Sequence, residues 1–374
     1  MNRFRLSPLL FAAVFVSIFS CTEDDVVKEE EVVKEEEVVK KPIEFKSVHA
    51  GNGTSFMIQS DGKVWGWGVN DKGQLGDGTL ADKFYPVLID SAYELVESAS
   101  SFTVGLKSNG ELWAWGGNLL GQPPNSSTKP VMVGSDFMAI SAGSAHVMAI
   151  KKGGSLWACG SNVYGQLGDG GDVYSGVLKL VGQGFSAVDA NGSVTIALKQ
   201  DETLWTWWEY YSIHGTPENH NLKIGTGCTT IAAGPLFTSS LVLKKDGTVV
   251  EFGNRTSDFE GYGSIVRLTG IVVKSIAVGG YDNSVPHYLA LTQDGMLWAW
   301  GNNSSGQLGD GTTINRTTPV LIGSNFKSIA AGGNHSLAIK MDNTVWAWGD
   351  NYAGQLGDST FIDSFKPVKV KFRK

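Results

Sequence analysis

Residues 65–79 read WGWGVNDKGQLGDGT, and nearly the same string returns at residues 298–312 as WAWGNNSSGQLGDGT and at residues 346–360 as WAWGDNYAGQLGDST. A string that recurs at distant positions is typical of repeat proteins, in which each unit forms one supersecondary element. The chain is therefore predicted to be an array of equivalent units.

The wider element D-G-x-x-W-x-W-G divides the chain into seven such units. Successive units start 44 to 48 positions apart and together fill residues 43–374. The starting residues are Asp61, Asn109, Gly153, Asp201, Asp246, Asp294 and Asp342.

Each unit carries the pattern of short β-strands. In the last unit Leu337 and Ile339 alternate with smaller residues, which is period two and not the 3.6 of a helix. An Asp-Gly or Asn-Gly pair between two such runs predicts a two-residue type I′ hairpin. A proline before the final apolar run predicts an edge strand. Four short strands per unit, repeated radially, predict an all-β fold, a seven-bladed β-propeller.

The tryptophans and the Gly-Gln-Leu-Gly-Asp string are predicted to be structural. Eleven of the twelve tryptophans occupy the two W positions of the repeat, where each is expected to bury about 200 Å² between neighbouring sheets. The string is expected to follow the tryptophan strand, its leucine filling the gap between blades and its Gln and Asp bonding loop amides. One carboxylate per string is too few for calcium, and no phosphate-loop lysine follows, so no metal or cofactor is expected.

The histidines and cysteines are also expected to be structural. His146, His287 and His335 share one slot of the repeat, and the third unit should lie far around the ring from the sixth and seventh, which disfavours a zinc site. Cys159 and Cys228 fall where other units carry a core aromatic, so buried free thiols are expected rather than a disulfide. No unit contains paired carboxylates or a nucleophile beside a base, so the protein is not predicted to be an enzyme.

The N-terminus predicts export. Residues 1–20 combine two arginines with a short apolar run, which favours a signal peptide, and the Ile-Phe-Ser before Cys21 resembles a lipobox in which that cysteine is lipidated. The alternative is an ordinary cleaved signal with a chance cysteine. The acidic residues 23–25 resemble a tag for the outer face of the outer membrane. We therefore expect a lipid-anchored protein of the cell surface.

Residues 21–42 are predicted to be an acidic, low-complexity linker, and residues 43–374 the propeller. The linker repeats the sequence VVKEEE, whose valines form no single helical stripe. The chain has a formal net charge of −7, so it lacks the basic balance expected of a nucleic-acid-binding protein. A monomer is expected.

The combined repeat, A-A-G-G-x-H-S-L-A followed by D-G-x-x-W-x-W-G-x-N-x-x-G-Q-L-G-D-G-T and a proline, resembles that of the regulator of chromosome condensation superfamily across residues 43–374. The resemblance implies a seven-bladed propeller whose ring closes by pairing strands from the two ends of the chain. The founding member's role as a nuclear exchange factor for a small GTPase does not suit an exported protein. Secreted relatives that inhibit β-lactamase fit that compartment better, but the repeat motif identifies no inhibitory residues here.

Units four and five depart from the repeat. Unit four has WTWWEYYSIHGTPENHN in place of the glycine-rich string, and unit five has EFGNRTSDFEGYGS. These aromatic and histidine residues suit a contact patch for another protein, or a platform for a glycan. A binding module that is not an enzyme is the favoured interpretation, the alternatives being a carbohydrate-binding or carbohydrate-active propeller and an inhibitor of an envelope or secreted enzyme. A further interpretation is that units four and five have lost the repeat by sequence drift and that their aromatic residues only pack within their own blades. The candidate binding residues are Trp208, Tyr210, Tyr211, His214, His220, Phe259 and Tyr262.

Overall fold

Seven four-stranded antiparallel sheets make up the fold. The computed structural model describes residues 44–117, 126–171, 174–211, 217–235, 240–252, 264–266, 271–280 and 284–373. Within those ranges no helix is long and apolar enough to cross a membrane. The predicted signal peptide, Cys21 and the linker lie outside the described residues.

The strands are numbered in chain order, four to a blade. They are β1 Phe45–Ala50, β2 Thr54–Gln59, β3 Val64–Gly68, β4 Lys83–Asp90; β5 Tyr93–Ser98, β6 Phe102–Lys107, β7 Leu112–Gly117, β8 Ser126–Gly134; β9 Phe137–Ala142, β10 His146–Lys151, β11 Leu156–Ser161, β12 Tyr174–Gly182; β13 Phe185–Asn191, β14 Val194–Lys199, β15 Leu204–Tyr211, β16 Pro217–Gly225; β17 Cys228–Ala232, β18 Ser240–Lys244, β19 Val249–Phe252, β20 Ser264–Val266; β21 Val273–Gly279, β22 His287–Thr292, β23 Leu297–Gly301, β24 Arg316–Gly323; β25 Phe326–Ala331, β26 His335–Lys340, β27 Val345–Gly349 and β28 Ser364–Lys369. The seven predicted blades are confirmed.

Each sheet consists of four consecutive strands, from β1-β2-β3-β4 to β25-β26-β27-β28. The expectation that the ring closes by pairing strands from the two chain ends is therefore wrong. Closure instead uses packing of blade seven on blade one, together with backbone bonds such as Gly333 N to Gly51 O at 3.1 Å and Ser359 N to Phe84 O at 3.0 Å. Beyond β28, Phe372 stacks on Phe45 with ring centroids 5.6 Å apart.

The hydrophobic core lies between blades. Seven clusters of buried residues occur, and each draws on two neighbouring blades. The cluster between blades seven and one, for example, joins Leu337 and Ile339 to Met57 and Trp67. Because no single sheet encloses its own core, each blade depends on its neighbours for stability.

The two tryptophan positions differ in burial. Second-position indoles such as Trp67 and Trp115 are fully buried between blades, as predicted. First-position indoles such as Trp113 are half-buried, and the Lys107 ammonium lies 4.3 Å from the centre of that ring. The prediction that both tryptophan positions pack between blades is therefore confirmed in full only for the second position.

The Asp-Gly hairpins are not type I′ turns. Gly62 N donates to Gln59 O and Gln59 N donates to Lys63 O, both at 2.9 Å, which makes a three-residue loop of a type I turn followed by a left-handed residue. Only the glycine needs positive φ (81° at Gly62). Asp61 stabilises the loop through its side chain, because its Oδ1 accepts a hydrogen bond from Lys63 N at 3.2 Å.

Two other predictions are confirmed. The recurrent prolines lie in the outermost strand of each sheet, as with Pro86 in β4, which pairs only with β3. Cys159 and Cys228 are buried free thiols.

Candidate functional site

The Gly-Gln-Leu-Gly-Asp string lies in the loop between the third and fourth strands of a blade and contacts the next blade. Leu75 is fully buried, and its backbone N–H donates to Asn70 Oδ1 at 2.9 Å. Asn70 Nδ2 donates in turn to Asp77 Oδ1 at 3.0 Å, while Lys83 pairs with the other carboxylate oxygen at 3.0 Å. The carboxylate is fully committed to the loop, which supports the structural interpretation of the string.

The slot histidines also serve the junctions between blades. His335 Nε2 lies 2.9 Å from Ser55 Oγ, and this hydroxyl donates to Gln355 O at 2.7 Å. The hydroxyl hydrogen is used on the carbonyl, so His335 must donate through Nε2. Trp67 Nε1 donates to the same carbonyl at 2.8 Å. His146 and His287 make the matching contacts with Thr195 and Ser336.

Burial keeps these three histidines neutral. It lowers the pKa of His146 and of His287 to about 3, and that of His335 to about 4. Each imidazole forms its hydrogen bond at a different junction between blades, so the structure does not bring the three histidines together into one site.

Blade four replaces the string by a longer hairpin. Strand β23 in blade six ends at Gly301, where φ is 95° and an added Cβ would lie 2.4 Å from Pro286 O. Unit four has Trp208 at this position, and a tryptophan cannot make that approach. Strand β15 therefore continues to Tyr211, three residues further, or about 10 Å at 3.3 Å per residue.

This blade-four hairpin, made of β15 (Leu204–Tyr211) and β16 (Pro217–Gly225), unites four of the seven candidate residues. Their backbones pair in an unbroken ladder, Trp208 with His220, Tyr210 with Glu218 and Tyr211 with Pro217. His214, Phe259 and Tyr262 lie outside the described residues. The structure thus brings the unit-four candidates onto one element and leaves the unit-five contribution a prediction.

Blades four and five remain joined without the string. The Lys245 ammonium pairs with the Glu202 carboxylate across the junction. Asp189 Oδ2 accepts from Ala233 N at 2.7 Å, and its Oδ1 accepts from Ser141 Oγ at 3.0 Å. Asp189 thereby links three consecutive blades.

Sequence reasoning missed the residues of the central channel. The first strands of the blades line a cavity of about 580 Å³, and His49, Glu97 and Asp189 reach it. The available signal was the fifth residue of these strands, which is polar in blades one to four and alanine in blades five to seven.

Family models of the regulator of chromosome condensation (RCC1) repeat match residues 61–105, 294–339 and 342–374, and in a second version residues 45–74, 139–166, 273–307 and 326–355. A 51-residue segment, 13% of this chain and 10% of the relative, is 43% identical to the Protein RCC2 homolog of Xenopus laevis. That segment is a small part of the relative's length.

Among solved structures, human WBSCR16 superposes with a TM-score of 0.66 at 20% identity, covering 80% of this chain and 87% of the other. Prp20p from Saccharomyces cerevisiae, a structure described together with binding to Gsp1p and histones, gives a TM-score of 0.49 at 21% identity over 88% and 77% of the two chains. At these identities the likeness concerns the fold.

Proposed function

Because the chain belongs to the regulator of chromosome condensation (RCC1) repeat family, we propose that it is a protein-interaction module that holds its partner with the blade-four hairpin. The observation that carries this proposal is the extra length of the hairpin. Strands β15 and β16 stay paired up to Tyr211 and Pro217, whereas the equivalent strand of blade six, β23, ends at Gly301. A regular ring interrupted by one longer element presents a distinctive feature to a partner.

The hairpin also has the composition of a contact surface. Tryptophan, tyrosine and histidine combine a large apolar area with polar groups, and interface hot spots are enriched in tryptophan and tyrosine. The ladder fixes the backbone from Leu204 to Tyr211, which reduces the entropy lost on binding.

Anchoring at the membrane and display at the cell surface are part of the proposal. Their support is the sequence around Cys21, with its preceding apolar run and following acidic residues. Labelling of cells with a fatty-acid analogue should modify the chain and not its Cys21→Ser variant. Protease digestion of intact cells should remove the propeller if it faces outward.

The test of binding compares the full-length chain with hairpin variants. Chemical cross-linking on cells, followed by mass spectrometry, should join the partner to residues 208–220. Trp208→Ala and Tyr211→Ala should each reduce this yield at least tenfold, whereas Tyr352→Ala, an exposed tyrosine on blade seven, should not. Equal yields from all variants would overturn the proposed role of the hairpin.

A glycan is the second candidate ligand, because Trp208, Tyr210 and Tyr211 would suit stacking on sugar rings. A glycan array probed with the same chains separates the two cases. Sugar binding that Trp208→Ala abolishes, with no loss of melting temperature, would favour the glycan over a protein.

A further inference from the structure

The central channel is a cavity of ligand size. Its volume of about 580 Å³ falls in the range of small-molecule sites. The first strand of every blade contributes to its wall.

The titratable side chains of the channel lie on one side of the ring, the polar side, and alanines take the same position on the other. Six of the seven first strands place their fifth residue in the wall, and these residues are His49, Glu97, Asp189, Ala232, Ala277 and Ala330 in blades one, two, four, five, six and seven. The fifth residue of blade three, Ser141, is buried and donates to Asp189 Oδ1.

The polar side is rich in hydrogen-bond acceptors. Glu97 Oε1 lies 3.8 Å from His49 Nδ1, and its side chain keeps 33% of its exposure. Asp189 lies two blades further on in the same wall. Asn52 Oδ1, on a residue of the same wall, has no hydrogen-bond partner among the described residues.

Cations are missing from this wall. The residues of the described chain that line the cavity include Glu97 and Asp189 but neither lysine nor arginine. Two carboxylates that line one cavity without a lysine or an arginine beside them favour a positively charged ligand.

We propose that the channel binds an aliphatic primary amine, with the ammonium group between Glu97 and Asp189 and the carbon chain against the alanine side. The same chemistry occurs in a free diamine and in a lysine side chain of a partner. This proposal stands apart from the role of the blade-four hairpin.

The alanine side can accept the carbon chain of such a ligand. Ala232, Ala277 and Ala330 line the cavity there, with Thr230 and Ser328 beside them. A bare metal ion would leave this side unused. An alkylamine uses both sides.

Binding should strengthen as the pH rises. The titratable side chains that line the cavity are His49, Glu97 and Asp189. Burial, and then the charge of Glu97, raise the pKa of Asp189 to about 7. The carboxylate is therefore mostly ionised at pH 8 and mostly protonated at pH 6, where it attracts an ammonium group less.

Calorimetric titration of the full-length chain with 1,4-diaminobutane at pH 8 and pH 6 tests this proposal. We expect millimolar or tighter binding at pH 8, weaker binding at pH 6 and none of the neutral analogue 1,4-butanediol. Glu97→Gln and Asp189→Asn should each weaken binding about tenfold or more, as loss of a charge-assisted contact does.

Glu94→Gln is the matched control, because Glu94 is exposed on the same strand as Glu97 and lies outside the cavity wall. A blocked pentapeptide with one central lysine distinguishes the source. Tighter binding of the peptide indicates a lysine of a partner, and tighter binding of the diamine indicates a free amine. Absence of both, or equal affinities for wild type, Glu97→Gln and the Glu94→Gln control, would overturn the proposal. Melting curves show whether each variant is folded.

Discussion

His335 and Ser55 lie 280 positions apart in the sequence, and the 2.9 Å contact between Nε2 and Oγ joins the last blade to the first. The same contact links blades three and four and blades six and seven, at 2.8 and 3.1 Å. Ring closure therefore uses the chemistry of an ordinary junction.

Ser55→Ala should lower the stability of the whole ring. It leaves the buried His335 Nε2–H without its partner, while the Gln355 carbonyl keeps the bond from Trp67 Nε1, and an unsatisfied buried donor costs about 1–3 kcal/mol. Urea unfolding measures this loss. Ser336→Ala should cost a similar amount at the junction of blades six and seven, and the exposed Ser135→Ala should cost little. A Ser55→Ala variant as stable as wild type would show that this junction does not hold the ring.

The buried indole should matter more than its half-buried neighbour on the same strand. Trp67→Ala removes a fully buried ring and its hydrogen bond to Gln355 O, with an expected cost of about 3–5 kcal/mol. Trp65→Ala should cost clearly less because that ring is partly exposed. The melting temperatures of the two variants provide the comparison. Equal losses would contradict the distinction between the positions.

Acid should weaken the fold through the three junction histidines. Their pKa values in the folded state, about 3 to 4, are below the unfolded value of about 6.5. The unfolded chain therefore binds more protons between those limits, and the stability present above pH 6.5 falls as the pH drops towards 4. Each histidine contributes a slope of up to about 1.4 kcal/mol per pH unit. Urea unfolding from pH 7.5 to 4.5 should show this loss, and His335→Gln should reduce the slope.

Asp189 should oppose this trend. Its folded pKa of about 7 is above that of an unfolded aspartate, so its contribution is fully present below pH 4 and is lost as the pH rises through 7. Asp189→Asn keeps the shape and removes the charge. The variant should gain stability over wild type, and the gain should grow from pH 5 to pH 8. A loss at pH 8 would mean that the bonds from Ala233 N and Ser141 Oγ outweigh the burial of the charge.

The repeat allowed the blade count, the edge prolines and the role of the string to be predicted. Each of these follows from local residue chemistry that recurs in several units. The hairpin type was wrong because Asp-Gly suits both a two-residue loop and a type I turn with a following left-handed glycine. The aspartate side chain favours the type I turn, because it accepts a hydrogen bond from the backbone N–H two residues later, as Asp61 does from Lys63 N.

The channel residues could not be predicted for a different reason. The first strands have the same alternation in every blade, and only the curvature of the closed ring decides which positions meet at its centre. Glu97 and Asp189 lie 92 positions apart, on the first strands of blades two and four. Nothing local indicates that they share one cavity.

Junctions also explain residues that the repeat leaves irregular. A unit with the string presents a glutamine carbonyl that accepts a hydroxyl and an indole N–H from the next blade, as Gln74 does for Thr103 and Trp115. Unit two lacks the string, and the following blade has Val147 and Cys159 at those two positions. At this boundary the acceptor and both donors are therefore absent together, whereas Trp300 in blade six keeps its indole N–H although unit five also lacks the string.

Because every blade is four consecutive strands, no hydrogen-bonded ladder among the described residues joins blade seven to blade one. An in-frame duplication or excision of one whole unit would leave each remaining sheet with all its pairings. Recombination between near-identical units would therefore lengthen or shorten the array without leaving any strand unpaired. The angle at which neighbouring sheets pack would then limit how many blades the ring can hold.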